Sequence, residues 1–358
     1  MVIVVTQKRE MKWPRLWLLT VLVCVLSSCT RHENTAFNNA YQGYKALFID
    51  AGRVVDTGNQ NVSHSESQGY GMLFSVVAGD QQTFDSIWQW TQATLQRKDK
   101  LFSWRYVPCE SADKNCIDDD NNASDGDLLI AWALLRAAAK WDEPRYQDEA
   151  TNIIKAVETS LFYQSGDYHL LLPGEFGFIH QGEEKQAQDT VQINLSYWVF
   201  PAINALAKAS NQPKRWQQLF DSGVSLINRA RFGAHQLPPD WLGIKGETFT
   251  FEHTLSQDYG FNACRIPLHL AWAGVNAPNV YSAFLSWWKQ GSVPATVNVV
   301  TGEAADYEMS AGMKTVADTV AYLINQQAVS FNQINRHTDY YSASLIMLSR
   351  VAVMDTTI

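Results

Sequence analysis

Charge is scarce in this chain: 18% of its 358 residues are charged, and 28 Lys plus Arg stand against 36 Asp plus Glu, for a net charge of -8. No basic run occurs, so a nucleic-acid phosphate backbone is excluded as a partner. Low charge combined with 46% hydrophobic and 12% aromatic residues also excludes a disordered chain or a coiled coil. No Pro/Ser or Gly/Ser linker interrupts residues 41–353, which argues against domains strung on flexible tethers. No internal repeat is detectable, so a solenoid of the tetratricopeptide kind is disfavoured. Strand-like alternation is scarce as well.

Helical spacing is abundant. Apolar residues recur at about i, i+3, i+4, i+7 over 83–96, 128–141, 145–161, 198–209, 216–230, 266–272, 280–288, 313–326 and 341–353. Turn signals such as Pro173-Gly174, Gln212-Pro213, Pro238-Pro239-Asp240 and Pro294 separate them every 20–30 residues. The expectation is one all-α domain over 41–358, a closed toroid of about a dozen helices in hairpins with its loops around a groove at one end.

The N-terminus reads as an address. Residues 11–29 carry Lys12 and Arg15, an apolar run from Leu16 to Leu26, then small residues; this is a secretory signal pattern, too short for a confident membrane span. Leu26-Ser27-Ser28-Cys29 resembles a bacterial lipobox, with an ordinary signal peptide and a chance cysteine as the alternative. The expected organisation is a lipoprotein signal over 1–28, lipidation at Cys29, a polar tether over 29–40 and a periplasmic domain anchored to the outer membrane, with Met11 as the start. Removing 1–28 takes away Lys8, Arg9, Lys12, Arg15 and Glu10 and moves the charge from -8 to -11. Of five cysteines, Cys109 and Cys116 sit in one polar loop and read as a local disulfide in an oxidising compartment. Cys264, in an apolar run, reads as a buried thiol.

Two polar clusters precede helical stretches. Ser63-His64-Ser65-Glu66-Ser67-Gln68-Gly69-Tyr70-Gly71-Met72 sets a carboxylate among Ser, His and Gln. A cap at Ser65 with Glu66 facing the helix dipole explains part of it; the glycines and tyrosine point to function. Asn121-Asn122-Ala123-Ser124-Asp125-Gly126-Asp127 opens the next, where Ser124 or Asp125 reads as a cap. The acidic run Asp118 to Asp120 suggests a calcium loop, but an EF-hand needs glutamate at loop position 12, where Leu129 stands.

The segment Ala123-Ser124-Asp125-Gly126-Asp127 through Ile130-Ala131, Ala133-Leu134-Leu135, Ala137 and Trp141 resembles the signature of glycoside hydrolase family 8. Ser65 to Met72 resembles that family's acid-bearing segment, commonly written with Gly where Ser67 stands. Leu171-Leu172-Pro173-Gly174, Asn194 to Trp198, Pro239-Asp240-Trp241 and Arg265-Ile266-Pro267-Leu268 agree in the same order. The likeness is greatest to secreted endoglucanases that accompany bacterial cellulose synthase. It implies an (α/α)6 barrel, an inverting mechanism and no metal or organic cofactor. By position, Glu66 matches the general acid and Asp125 the aspartate that binds the distorted sugar, while Tyr70, Tyr197 and Arg265 fall on groove positions. Trp104 is a candidate sugar platform, with a core role as the alternative.

One departure touches the mechanism. Where many members carry an aspartate base in Tyr-Asp-Ala-x-Arg, this chain has Phe261-Asn262-Ala263-Cys264-Arg265, and an amide cannot usefully take a proton from water near pH 7. An inverting enzyme needs a second carboxylate about 6.5–9.5 Å from the acid to activate water. Asp258, Asp125 and the acidic loop Glu303 to Glu308 are the alternatives. Expected partners are a β-1,4-linked polysaccharide, the membrane through Cys29 and the cellulose synthase machinery. Cellulose, mixed-linkage glucan, chitosan and xylan remain open as polymers, as does a binding module that lost its base.

Overall fold

The computed structural model describes residues 35–109, 116–182, 188–252 and 255–356. The signal and Cys29 lie outside the described residues. Eleven α-helices appear among the described residues: α1 (35–48), α2 (Ser65–Ala78), α3 (Gln81–Thr94), α4 (Ser124–Trp141), α5 (Pro144–Ser160), α6 (Phe200–Ala209), α7 (Pro213–Arg229), α8 (Ile266–Trp272), α9 (Pro278–Trp288), α10 (Ala311–Asn325) and α11 (Tyr340–Thr356). Their ends follow from local chemistry. Proline opens α5, α7 and α9, where the missing N–H costs no bond. Asp80 caps α3 through Thr83 N, and Ser310 caps α10 through Met313 N.

The helices fall into two classes. In α2, α4 and α11 most positions are buried and in α8 all are, so these sequences are apolar or small over most of their circumference. Contacts run from α2 to α4, α6, α8, α11 and back to α2, which closes a ring, with α10 set against α8 and α11. Helices α3, α5 and α7 instead bury one stripe, as in Tyr146, Ala150, Ile153, Ile154 and Val157 of α5. They pack outside the ring, as an (α/α)6 barrel requires.

Two expectations change. The tether over 29–40 is too long at its C-terminal end: residues 35–40 already belong to α1, and Phe37 is packed in the core. The chain also pairs as β-ladders more than its periodicity suggests, in thirteen strands of two to six residues among the described residues, on the connections. Runs so short cannot display a period of two. The most extensive sheet joins the strands Ile179–His180, Thr190–Ile193, Leu242–Lys245 and Thr248–Thr250. A hairpin of Ser103–Tyr106 and Ile117–Asn122 is stapled near its tip by the disulfide Cys109–Cys116. Cys264 is a buried free thiol, pushed up to about 12 by burial.

Candidate active site

Glu66 and Asp125 are each the second residue of an inner helix, α2 and α4. Neither helix uses the expected cap. His64 precedes α2, and its backbone N–H donates to Ser67 Oγ at 2.9 Å; Ala123 precedes α4. Ser65, Ser124 and Asp125 lie inside their helices, so Asp125 is free for other work. Glycine lets the two helix starts meet. A Cβ on Gly126 would lie 2.1 Å from Ser65 Oγ and 2.8 Å from Glu66 N, and one on Gly69 would lie 2.6 Å from Leu129 Cβ.

The two carboxyl groups share a hydrogen bond. Burial, reinforced by the Glu66 charge, pushes Asp125 well above the usual carboxylate range. Burial also pushes Glu66 up, but the Arg265 guanidinium and hydrogen bonds from Asp125 and Tyr70 outweigh it, so Glu66 is held below its ordinary value. A proton shared by the pair therefore favours Asp125 over Glu66. Arg265 Nη1 donates to Glu66 Oε1 and, at 3.0 Å, to Tyr70 Oη; Tyr70 Oη donates to Glu66 Oε1 at 2.9 Å. Arg265 Nη2 reaches Asn262 Oδ1 at 2.9 Å and Ser196 Oγ at 3.4 Å. Glu66 keeps 26% of its side chain exposed while Asp125 is a buried residue, so Glu66 is the member that faces an incoming ligand.

A cavity of about 270 Å³ lies alongside, lined by Trp104, Asp119, Asn121, Asn122, Ala123, Pro173, Phe178, Tyr197 and Trp241. Tyr197 links it to the carboxyl pair, whose charges reach its hydroxyl. Trp104 is half-exposed rather than core; it stacks on His64 at 6.2 Å and 6° and donates Nε1 to Asp119 Oδ2 at 2.8 Å. Phe178 and Trp241 stack at 5.9 Å and 3°. The acidic run is thus a strand beside the cavity rather than a calcium loop, with Asp118 near Arg105 at 3.7 Å.

The candidates for the base do not all converge. Asp258 accepts from Asn298 Nδ2 at 3.0 Å, in a short ladder between 258–259 and 297–298. Glu303, Asp306 and Glu308 are exposed, with Glu308 paired to Lys314 at 2.8 Å. Asp125, in hydrogen-bonding contact with Glu66, is too near the acid for a spacing of about 6.5–9.5 Å. One residue not singled out from sequence does converge. Asp240, 6% exposed, accepts at one oxygen from the N–H groups of Gly260, Asn262 and Ala263 at 3.2, 3.1 and 2.7 Å. Its Pro239-Asp240-Trp241 run was the available signal, since an acid beside an aromatic in a Pro-rich turn is out of place in a plain connection.

The sequence matches the family pattern of Glycosyl hydrolases family 8 over residues 11–355, and the chain belongs to that family. It is 37% identical to a probable endoglucanase of Novacetimonas hansenii, over 88% of this chain and 90% of that one. An endoglucanase of Cellulomonas uda is 36% identical, over 78% and 76%. Among solved structures, the endo-β-1,4-glucanase CMCax from Acetobacter xylinum superposes with a TM-score of 0.82 at 36% identity, covering 91% of this chain and all of that one. Endoglucanase Cel10 from Klebsiella pneumoniae gives 0.79 at 34%, covering 88% and 99%. The (α/α)6 barrel and the glycoside hydrolase class expected from the sequence are both met.

Proposed function

We propose that this protein is an inverting endo-β-1,4-glucanase, with cellulose-type glucan as its polymer. The observation that carries the reading is the contacting carboxyl pair of Glu66 and Asp125, clamped by Arg265 beside a cavity walled by Trp104, Tyr197, Phe178 and Trp241. Flat aromatic faces suit the apolar faces of β-linked pyranose rings. A glucan drawn across them brings a glycosidic oxygen to Glu66, the more exposed carboxyl. Proton transfer from Asp125 across the shared hydrogen bond makes Glu66 the donor to the leaving oxygen as the C–O bond stretches. Arg265 and Tyr70 then stabilise the carboxylate left behind. The endoglucanase relatives at 36–37% identity support glucan over chitosan or xylan. Reducing-end release measured on carboxymethyl cellulose, mixed-linkage glucan, chitosan and xylan tests this; cleavage of chitosan or xylan alone would overturn the glucan assignment.

The same reading extends to location. Leu26-Ser27-Ser28-Cys29 supports export and lipidation at Cys29. An outer-membrane anchor in the periplasm, beside the cellulose synthase machinery that the nearest family resemblance suggests, follows as part of the proposal. Cys29→Ser should move the protein from the membrane to the soluble fraction without loss of specific activity; retention on the membrane would refute the anchor.

A further inference from the structure

Inversion at the anomeric carbon requires a carboxylate that takes a proton from water, and the residue in the expected place is the amide Asn262. Three carboxylates act on the hydroxyl of Tyr197, at the junction of cavity and carboxyl pair: Asp125, Glu66 and Asp240. The first two are hydrogen-bonded to each other and cannot stand on opposite sides of a sugar bond and a water. Resting on the endoglucanase reading, we propose that Asp240 is the general base of the inverting reaction and replaces the function missing at Asn262.

The layout ties Asp240 to the acid through intervening residues rather than through the hydrogen bond that joins the acid pair. Arg265 bonds Glu66 through Nη1 and the Asn262 carboxamide through Nη2, and the Asn262 N–H in turn bonds Asp240. Arg265 and Asn262 are thus the two links in the bonded chain from Glu66 to Asp240. Asp240 Oδ1 receives all three backbone N–H groups, which fixes the side chain, and none of those bonds uses Oδ2. A Cβ on Gly260 would come within 3.0 Å of Oδ2, so the glycine leaves that oxygen room. Trp241, the next residue, lines the cavity. The charged and titratable groups facing Asp240 are Arg265, Tyr197, Tyr259, Cys264 and Tyr341. Burial outweighs the three N–H groups and Arg265 and pushes the carboxyl up to about 6, a fitting basicity for accepting a proton from water near neutrality.

In the reaction, water transfers a proton to Asp240 as its oxygen bonds to the anomeric carbon from the face opposite the leaving group. The C–O bond to the leaving sugar breaks, its electron pair stays on that oxygen, and the proton from Glu66 joins it. Afterwards Asp240 releases its proton to solvent and the Glu66–Asp125 pair takes one up, so protons balance.

Asp240→Asn is the discriminating variant, because its amide oxygen can still accept the three N–H groups while basicity is lost. On cellohexaose its kcat should fall at least about 10²-fold with KM within about threefold, and azide should restore turnover of Asp240→Ala with a glycosyl azide of inverted configuration. Retention of more than about a tenth of wild-type kcat by Asp240→Asn would reduce Asp240 to a tie for the turn. Should both variants fail to fold, the wild-type protein still decides: kcat/KM should decline below pH about 6, and an acidic limb at the ordinary carboxylate value of about 4 would overturn the assignment. Wild-type protein that releases no reducing ends from any glucan would sink the endoglucanase reading itself, whereas an active wild type with an equally active Asp240→Asn sinks this inference alone.

Discussion

The two halves of the cleft are built by different means. Glu66 and Asp125 enter from the first turns of two adjacent inner helices, where the positive helix ends favour a shared negative charge and two glycines permit close approach. Asn262 and Arg265 instead stand at the two ends of a single 3-10 turn that leads into α8, and N–H groups at its start are gathered by one carboxylate 22 residues upstream of Asn262. The acid half is rigid because secondary structure holds it. In the water half a buried side chain ties together the short strand and the 3-10 turn, which concentrates its geometry in Asp240. Damage should therefore show as lost proton donation in the first half and as lost or displaced basicity in the second.

The largest effect belongs to the acid half. Glu66→Gln removes the donor and should lower kcat by about 10²- to 10⁴-fold, while the melting temperature changes little, since Asp125 can ionise in place of Glu66 beside Arg265. Steady-state rates and a thermal melt check both parts; a variant keeping more than about a tenth of the wild-type rate would remove Glu66 from the donor role.

Asp125→Ala should come next. It takes away the residue on which the shared proton rests, so kcat should drop about 10²-fold or more, and KM should rise because the carboxylate is proposed to hold a strained sugar. Normal kinetics in a folded variant would leave Asp125 with a structural role alone.

The water half should respond more gently to a change at Asn262. In Asn262→Asp the new carboxylate meets Arg265 and is ionised. Its charge raises the pKa of Asp240, so the acidic limb of kcat/KM, expected at about 6 in the wild type, moves to higher pH. The sign follows from proton binding: a base is lost as pH falls through its pKa, so activity at pH 5–6 should fall several-fold with little change at pH 8. A gain in rate at every pH would mean that residue 262 faces the attacking water and that the native chain lacks a base. Asp258→Asn, whose partner is Asn298, should stay within about twofold of wild type.

Much of this was legible in the chain. Helices α3 to α11 lie where apolar spacing puts them, within a few residues at each end, because burial of a stripe or of a whole surface is written locally. Glu66 and Asp125 were legible because each belongs to a contiguous motif in which residues a few positions apart share one helix start. Trp104 was ambiguous between platform and core, since aromatic spacing does not say which side of a ladder faces solvent; the hairpin with 117–122 decides it. The chain's start as a folded unit was read late, because 35–40 are half polar and too short to show a period, yet contribute Phe37 and Ala40 to the core.

What the sequence by itself determined is the class of fold, the two carboxyl-bearing motifs and the absence of the usual aspartate at Asn262. What only the tertiary structure decided is how those pieces share protons and charge. Whether Asp125 or Glu66 keeps the proton depends on Arg265, 199 positions from Glu66, and on burial from every side. The place of Asp240 depends on a turn that closes only when the loop between α7 and α8 has folded back on itself. Electrostatic energies fall with distance through space and with the exclusion of water, and neither quantity is a function of separation along the chain.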